Sequence, residues 1–426
     1  MPGSDKTIAL FPEASYGAAL NCVGIAQELR RIGAEPVFIC HAGFHGVFTQ
    51  YGFPEYAIPA SNGGSIESNA DWNSFIQRHR SAFRLSPLEQ VEAYVGPTWD
   101  AIVDTAMRAE PALQDLIARL DPAVIVLDNV VMFPAVLKSG KPWVRVVSCA
   151  ETEIPDADVP PHLSGCSSTD RSGWDTFKVA YERAVAPAHD RLNKLLTGCG
   201  LAAYPRSQFL EPSPYLNLLL APEIMRYSRR TPLDPALYVY LEGCVRNEGP
   251  YVPPPFASRE HAPLIYTSFG SLGAIDTDMI ARLIEAFGRL PYRFLINVGA
   301  WRDSYRLVPD NVYLGDWFPQ PSLVKQCDLF IHHGGNNSFC EALVFGVPSV
   351  IMPYCWDGHD NATRCEEMGV GRRLDRYAWT TGELRDAIGG LLEDRKLKVR
   401  LRQYSEAAAS KPGSRMAAAE IVGFIR

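Results

Sequence analysis

Residues 331–338 read IHHGGNNS, inside the longer stretch CDLFIHHGGNNSFCEALVFGVP, and WDGHDNA follows from Trp356. Histidines, carboxylates and glycines in such short runs can hold a metal ion, cradle a phosphate, supply a catalytic base or turn a corner. His332, His333, Asp357, His359 and Asp360 are all potential metal ligands. Hard cations prefer cages of oxygen, and zinc sites use short, defined His or Cys spacings. Adjacent histidines on a strand point to opposite faces, so His332 and His333 cannot share one ion without distorting it. No metal site is expected, and His332 is expected to be packed within its lobe. The phosphate option has a better physical basis. LFI runs into HHGG, and NSFCEALVFG then has the pattern of a helix that ends at Gly346, before Pro348. A helix N-terminus presents unpaired N–H groups and a partial positive charge, and glycines let the backbone approach an anion. Asn337 and Ser338 fall in the first turn, where they either cap the helix or donate to the same anion. These residues alone fit a capped helix after a tight turn equally well.

The elements that must position this run have an α/β rhythm. TIALFP from Thr7, the turn-rich ASYG, the helix-like LNCVGIAQELRRIG ending at Gly33, and PVFICH form strand, helix, strand. A helix-like segment ends near Asp121 and Pro122, and a buried strand is expected from Ala123 to Leu127. KPWVRVVSC continues the pattern, while SNGGSIESNADWNSF has the composition of an irregular loop. From Tyr240 to Glu260 four prolines and two glycines interrupt all periodicity. The rhythm then resumes with APLIYTSFGSLG, MIARLIEAFGRL, YRFLINVG, NVYLGDW, CDLFIHH and VPSVIMPY. The expected organisation is a first domain over 1–240, a linker over 241–259, a second domain over 260–405, and a terminal helix over 406–426 that packs back on the first domain. Two doubly wound α/β lobes facing across a cleft bind ligands at the carboxyl ends of their strands. IHHGGNNS, TSFGS, ASYG and LDNV all fall there.

Composition narrows the function classes. A chain of 426 residues exceeds what one hydrophobic core usually serves. Hydrophobic residues at 47% and charged residues at 21% are ordinary for a globular protein. A formal charge of -7 argues against broad nucleic-acid binding, which needs a basic face to displace counterions. The one basic run, RKLKVRLRQ from Arg395, reads as the solvated face of a late helix. Ten cysteines without a CxxC spacing read as buried reduced thiols. MPGSDKTIALFPEAS lacks a basic n-region and a signal-length apolar run. No apolar run approaches the roughly 18 to 20 residues that span a bilayer. The expectation is a cytoplasmic protein without integral membrane association, a monomer or homodimer.

The second half resembles the family 1 glycosyltransferases, the UDP-glycosyltransferases that include plant secondary-product enzymes and bacterial antibiotic and macrolide glycosyltransferases. The resemblance rests on an ordered series: Thr267-Ser268-Phe269-Gly270-Ser271, Trp317-Phe318-Pro319-Gln320, His333-Gly334-Gly335-Asn336-Asn337-Ser338, Glu341, Gly346-Val347-Pro348, and Asp357-Gly358-His359-Asp360-Asn361-Ala362. It extends more weakly over the first lobe. It implies a GT-B fold, two facing Rossmann-like domains with an interdomain cleft, and a nucleotide-sugar co-substrate, UDP- or dTDP-linked, with no cofactor. It further implies that Trp317 stacks on the nucleobase while the Phe318 backbone and Gln320 fix its edge and the ribose. Glu341 would accept from ribose hydroxyls, more strongly in its charged form. His333, the turn through Gly335, Asn336, Asn337 and Ser338, and Ser271 would hold the pyrophosphate. Asp357 and Gly358 would read the sugar.

Two departures from the family pattern bear on chemistry. Gly358 stands where relatives usually carry glutamine, so either the donor sugar lacks a hydroxyl there or His359 or Asp360 fills the space. Ala18 stands where many relatives carry a histidine that takes the acceptor's proton, and alanine moves no proton. The aspartate that orients that histidine is matched by Asp128. Four alternatives follow: Asp128 is the base, directly or through a water, if burial raises its pKa; Glu13 is; the acceptor is acidic or nucleophilic enough to need little help; or Ala18 is an introduced, silencing substitution. Asp128 is preferred to Glu13. The expected function is inverting transfer of a hexose or deoxyhexose to a small, partly apolar natural product bound near Trp72, Phe83 and Tyr94. The rival is a catalytically impaired nucleotide-sugar binder. A dinucleotide oxidoreductase ranks last, since no GxGxxG follows a strand.

Overall fold

The computed structural model describes residues 6–59, 69–256 and 259–425; the side chains of Asn69 and Ser271 also lie outside the description. Two parallel sheets dominate. The first has seven strands in the order β3-β2-β1-β4-β5-β6-β7: β1 (Thr7–Pro12), β2 (Glu35–His41), β3 (Glu55–Ile58), β4 (Val124–Asp128), β5 (Trp143–Val147), β6 (Leu216–Leu220) and β7 (Tyr238–Leu241). The second has six in the order β10-β9-β8-β11-β12-β13: β8 (Leu264–Ser268), β9 (Arg293–Asn297), β10 (Val312–Gly315), β11 (Leu329–His332), β12 (Ser349–Ile351) and β13 (Gly371–Arg373). Their central strands are continuous apolar runs because helices cover both faces, so no alternation of polar and apolar residues is required. β1, β4, β5, β8 and β11 are accordingly buried along their whole lengths.

Each sheet reverses its strand order once, between β1 and β4 and between β8 and β11. Such switch points open a crevice at the carboxyl ends of the strands. At the first, Pro12 pairs with Asp128, and the Glu13 N–H donates to the Asp128 carbonyl at 2.7 Å. β4 therefore extends one residue beyond the expected Leu127, and this fixes where the Asp128 side chain starts. At the second, Ser268 pairs with His332.

Between Leu241 and Leu264 the described residues form no helix or strand, as prolines without amide hydrogens dictate. The stretch ADWNSF departs from the expected loop: Asn69–His79 is a helix that buries Trp72, Phe75 and Ile76, and the apolar spacing outweighs the polar composition. Residues 61–68 of that insertion lie outside the described residues. The helix Gly413–Val422 sets Ala417, Ala418 and Ile421 into the same apolar cluster as Ala19, Cys22 and Val23 of the first lobe. A divide at 405 falls inside the helix Arg395–Ser410, which is continuous across it. Its basic run leaves only Leu397, Leu401 and Ala408 buried. All ten cysteines are free. Among the described residues, no helix is long and apolar enough to cross a membrane.

Candidate functional site

The two switch points face one another around a cavity of about 270 Å³. The second lobe lines it with Ser268, Gly270, Trp317, Gln320, His333, the turn from Gly335 to Ser338, and Asp357; the first lobe lines it with Glu13, Tyr16, Ala18, Asn21 and Ser148.

On the second-lobe wall, Trp317 is 53% exposed and lines the cavity, where its flat apolar ring is open to a planar partner. Its ring centroid lies 5.8 Å from that of Tyr16 across the cleft. Phe318, the next residue, is buried and also borders the cavity. The helix Asn336–Val344 begins after Gly335, and no side chain caps it. Neither Asn337 nor Ser338 acts as a cap, which leaves the first-turn amides for an anion. The side chains of this turn are engaged otherwise than expected. Asn336 Nδ2 donates to the carbonyls of Ser148 (3.1 Å), Cys149 (3.2 Å) and Leu220 (2.8 Å), tying the lobes together. Asn337 Nδ2 donates to the Gly17 carbonyl at 3.2 Å, and Ser338 Oγ accepts from Gln320 Nε2 at 3.1 Å. What this turn can give an anion is therefore its backbone.

The two histidines divide as their alternating directions require. His332 is wholly buried; its Nδ1 accepts from the Gly334 N–H at 3.1 Å, so Nε2 carries the hydrogen toward Ser349 Oγ at 3.0 Å. His333 faces the cavity, with Nδ1 unpartnered. Burial, and then the nearby Arg376 guanidinium, push its pKa down to about 4, so it is a neutral imidazole at physiological pH. The side chain of Ser271 lies outside the described residues; its neighbour Gly270 lines the cavity at φ +72°.

Glu341 departs most from expectation. Its carboxylate is buried behind the wall instead of facing the cavity. Oε1 accepts from Arg246 Nη1 at 3.1 Å and Oε2 from Gln320 Nε2 at 2.7 Å, while Arg246 Nε also donates to Glu248 at 2.5 Å. A buried carboxylate must be paired, and Arg246 in the interlobe connection pairs it. The groups that reach the cavity are thus Arg246 and Gln320. Arg246 was not legible in a segment that read only as a proline-rich linker.

Gly358 has a steric cause. A Cβ built on it would lie 2.5 Å from the His333 carbonyl oxygen, and one on Gly334, at φ +91°, would lie 2.7 Å from the Gly358 carbonyl oxygen. The two loops pack backbone to backbone, so no side chain fits there. Neither proposed substitute fills the gap. His359 Nε2 pairs with Gln90 Oε1 at 3.1 Å. Asp360 accepts from Thr152 Oγ1 (2.6 Å) and from the amides of Leu163 (2.8 Å) and Gly165 (2.7 Å), clasping the first lobe. Asp357 lines the cavity and accepts from the Ala150 N–H at 3.1 Å; burial raises its pKa to about 7.

On the first-lobe wall, Ala18 and Glu13 line the cavity, but Asp128 does not. Asp128 is 2% exposed, with Oδ1 accepting from Ser148 Oγ at 2.6 Å and Oδ2 facing the Cys22 thiol at 3.8 Å. Burial raises its pKa to about 8, against the hydrogen bond from Ser148. Glu13 is raised to about 7, by burial first and the Glu153 charge second. Of this hydrogen-bonded pair only Ser148, which follows β5, lines the cavity; it was not singled out in the sequence, although the rule that ligands meet strand ends could have found it. Of the expected acceptor aromatics, Trp72 and Tyr94 reach the cavity, whereas Phe83 is spent against Tyr354 at 4.8 Å between centroids. A larger cavity of about 680 Å³ on the first lobe, lined by Trp99, Val130, Phe177 and Phe209, shares Trp356 with the cleft.

Two facing Rossmann-like lobes with a cleft at both switch points are the GT-B architecture. Residues 281–424 match the family described as "Erythromycin biosynthesis protein CIII-like, C-terminal domain". The oleandomycin glycosyltransferase of Streptomyces antibioticus is 28% identical over 211 residues, 48% of this chain and 48% of that protein. The NDP-glycosyltransferase YjiC of Bacillus licheniformis is 30% identical over 262 residues, 61% of this chain and 66% of that protein. The matched stretches span about half to two thirds of these relatives' lengths. The glycotransferase of kitacinnamycin superposes with a TM-score of 0.69 at 19% identity, covering 100% of both chains. Glycosyltransferase VinC, solved in complex with dTDP, gives 0.68 at 16% identity over 98% of this chain and 99% of that one. In fold and in second-lobe sequence, the chain is similar to the family 1 glycosyltransferases.

Proposed function

We propose that this chain transfers a hexose or deoxyhexose from a UDP- or dTDP-sugar to a small, partly apolar natural product, with inversion and without a metal ion. The observation that carries the reading is one wall: a half-exposed Trp317 for a nucleobase, beside a helix N-terminus whose only cap is Gly335. A diphosphate leaving group develops charge where those amides converge, which is where preorganised donors are worth most. His333, neutral, can donate without competing for the proton. The acceptor's apolar body has room beside Trp72 and Tyr94, and past Trp356 toward the larger cavity.

Calorimetry with UDP and dTDP tests the reading. Binding of at least one, weakened by Trp317→Ala by about 1–3 kcal/mol, is expected for base stacking; absence of heat with both overturns it. Ala18 favours a second reading, a nucleotide-sugar binder that transfers nothing. Nucleotide binding without donor hydrolysis or transfer would select it.

A further inference from the structure

We propose that Ser148 receives the acceptor hydroxyl in the volume beside Ala18 and relays its proton to Asp128, with the Asn21 amide holding the same hydroxyl in line. The inference rests on the transferase reading.

Ser148 and Asp128 stand at the ends of neighbouring strands, and the serine hydroxyl donates to Oδ1 at 2.6 Å, within the range of a charge-assisted O–H···O bond. Only the serine of this pair lines the cavity. Asn336 holds the Ser148 backbone carbonyl at 3.1 Å, so the residue is tied to the second lobe while its hydroxyl bonds the first. Asn21 is the independent observation. It is 1% exposed, lines the same cavity, and neither its amide nitrogen nor its oxygen has a partner. It lies three residues after Ala18 on the helix Tyr16–Arg31, and residues so spaced share a face. A buried amide left wholly unsatisfied is costly, and a ligand hydroxyl that both donates and accepts relieves that cost.

The step balances. The acceptor O–H breaks as Ser148 Oγ takes its proton, and the serine's own proton passes to Asp128 Oδ1. The acceptor oxygen bonds the anomeric carbon while the bond from that carbon to the diphosphate breaks, and the electron pair leaves with the nucleoside diphosphate. Asp128 ends neutral. Around it lie Cys22 on its helix, Cys244 in the interlobe connection, Glu13 after β1 and Glu153 after β5. The carboxylates oppose a second negative charge, and burial opposes any, which makes Asp128 a willing proton acceptor.

The test uses UDP-glucose and dTDP-glucose as donors, 2-phenylethanol as an acceptor probe whose hydroxyl stays protonated throughout the pH range, and water as acceptor in donor hydrolysis. Ser148→Ala should lower kcat about 100-fold with nucleotide affinity unchanged by calorimetry, and Ser148→Thr should recover most of it. The wild-type rate should rise with pH toward about 8, as Asp128 loses its proton. Because the serine's hydrogen bond lowers that pKa, Ser148→Ala should move the rise to higher pH. Asn21→Leu should raise KM for the probe more than it lowers kcat. Ser148→Ala within twofold of wild type, a pH limb that stays in place, or a limb abolished by Glu13→Gln instead would each overturn the relay. If neither nucleotide binds and nothing is transferred, the transferase reading fails. An infrared titration of the Asp128 carboxyl, assigned with Asp128→Asn, still reports on the pair: an unmoved midpoint in Ser148→Ala overturns the coupling.

Discussion

The two walls of the cleft are built on different plans. The second-lobe wall comes largely from one stretch between Trp317 and Gly358, and its members contact one another: Gln320 bridges Ser338 and Glu341, and Gly334 packs on Gly358. The first-lobe wall gathers Glu13 after β1, Ala18 and Asn21 from one helix, and Ser148 after β5. A ligand part with fixed geometry, such as a nucleoside diphosphate, can be met by a wall rigid within itself. An acceptor of variable shape suits a wall whose members move independently. If the walls divide in this way, rigidity and electrostatics should divide with them.

The largest effect is expected at Arg246. It is the only cation bonded to Glu341 among the described contacts, and both are buried. Removing one partner of such a pair leaves an uncompensated charge, at a cost of about 3–5 kcal/mol. Arg246→Ala should lower unfolding free energy by that order in denaturant titration, and adding Glu341→Gln should recover a substantial part. A neutral Arg246→Ala would mean that the second-lobe wall does not depend on the interlobe connection for its rigidity.

Gly358 comes next. Gly358→Gln installs the side chain that relatives carry, but its Cβ would meet the His333 carbonyl at 2.5 Å. Backbone cannot yield as a flexible side chain does, so a cost of about 1–3 kcal/mol is expected for the overpacking. Nucleotide affinity should fall as well, since the loop that moves carries His333. An unchanged melting temperature together with gained affinity for a glucose donor would show that the wall is softer than its packing implies.

This difference in plan also decided what the sequence could reveal. Strand runs such as AVIVLD and LFIH are apolar because two helix layers bury them, so fold and switch points were legible from pattern. Trp317, Gln320 and His333 were legible because a self-contained wall keeps its spacing along the chain. Arg246 was not, because its partner lies 95 residues away and nothing local distinguishes a paired arginine in a linker from a solvated one. Asn336 looked like an anion ligand and is an interlobe tie, since a side-chain amide serves either purpose. The placement of Asp128 behind Ser148 depends on a one-residue extension of β4 and on the register between β4 and β5, and no single-strand pattern encodes either. The helix at Asn69–His79 was obscured by polar composition, although Trp72, Phe75 and Ile76 carry helical spacing.

The smallest effect separates the walls electrostatically. Asp128 and Glu13 on the first lobe are raised to about 8 and about 7, and Asp357 on the second to about 7, in each case chiefly by burial. In the unfolded chain these carboxyls titrate near 4, so between about pH 4 and 8 the folded state binds more protons than the unfolded one. Stability therefore falls as pH rises through this window. Asp128→Asn removes the group with the highest pKa of the three and should flatten the fall across the window from about pH 5 to 8; above pH 7, where Glu13 and Asp357 contribute less and less, little of the fall due to these three groups should remain. Melting temperatures from pH 5 to 8.5 check this: the variant should gain on wild type steadily up to about pH 8, by about a few degrees. If Asp357→Asn flattens the upper part of the curve instead, the proton-holding wall is the second lobe's, and the assignment of proton chemistry to the first-lobe wall loses its electrostatic support.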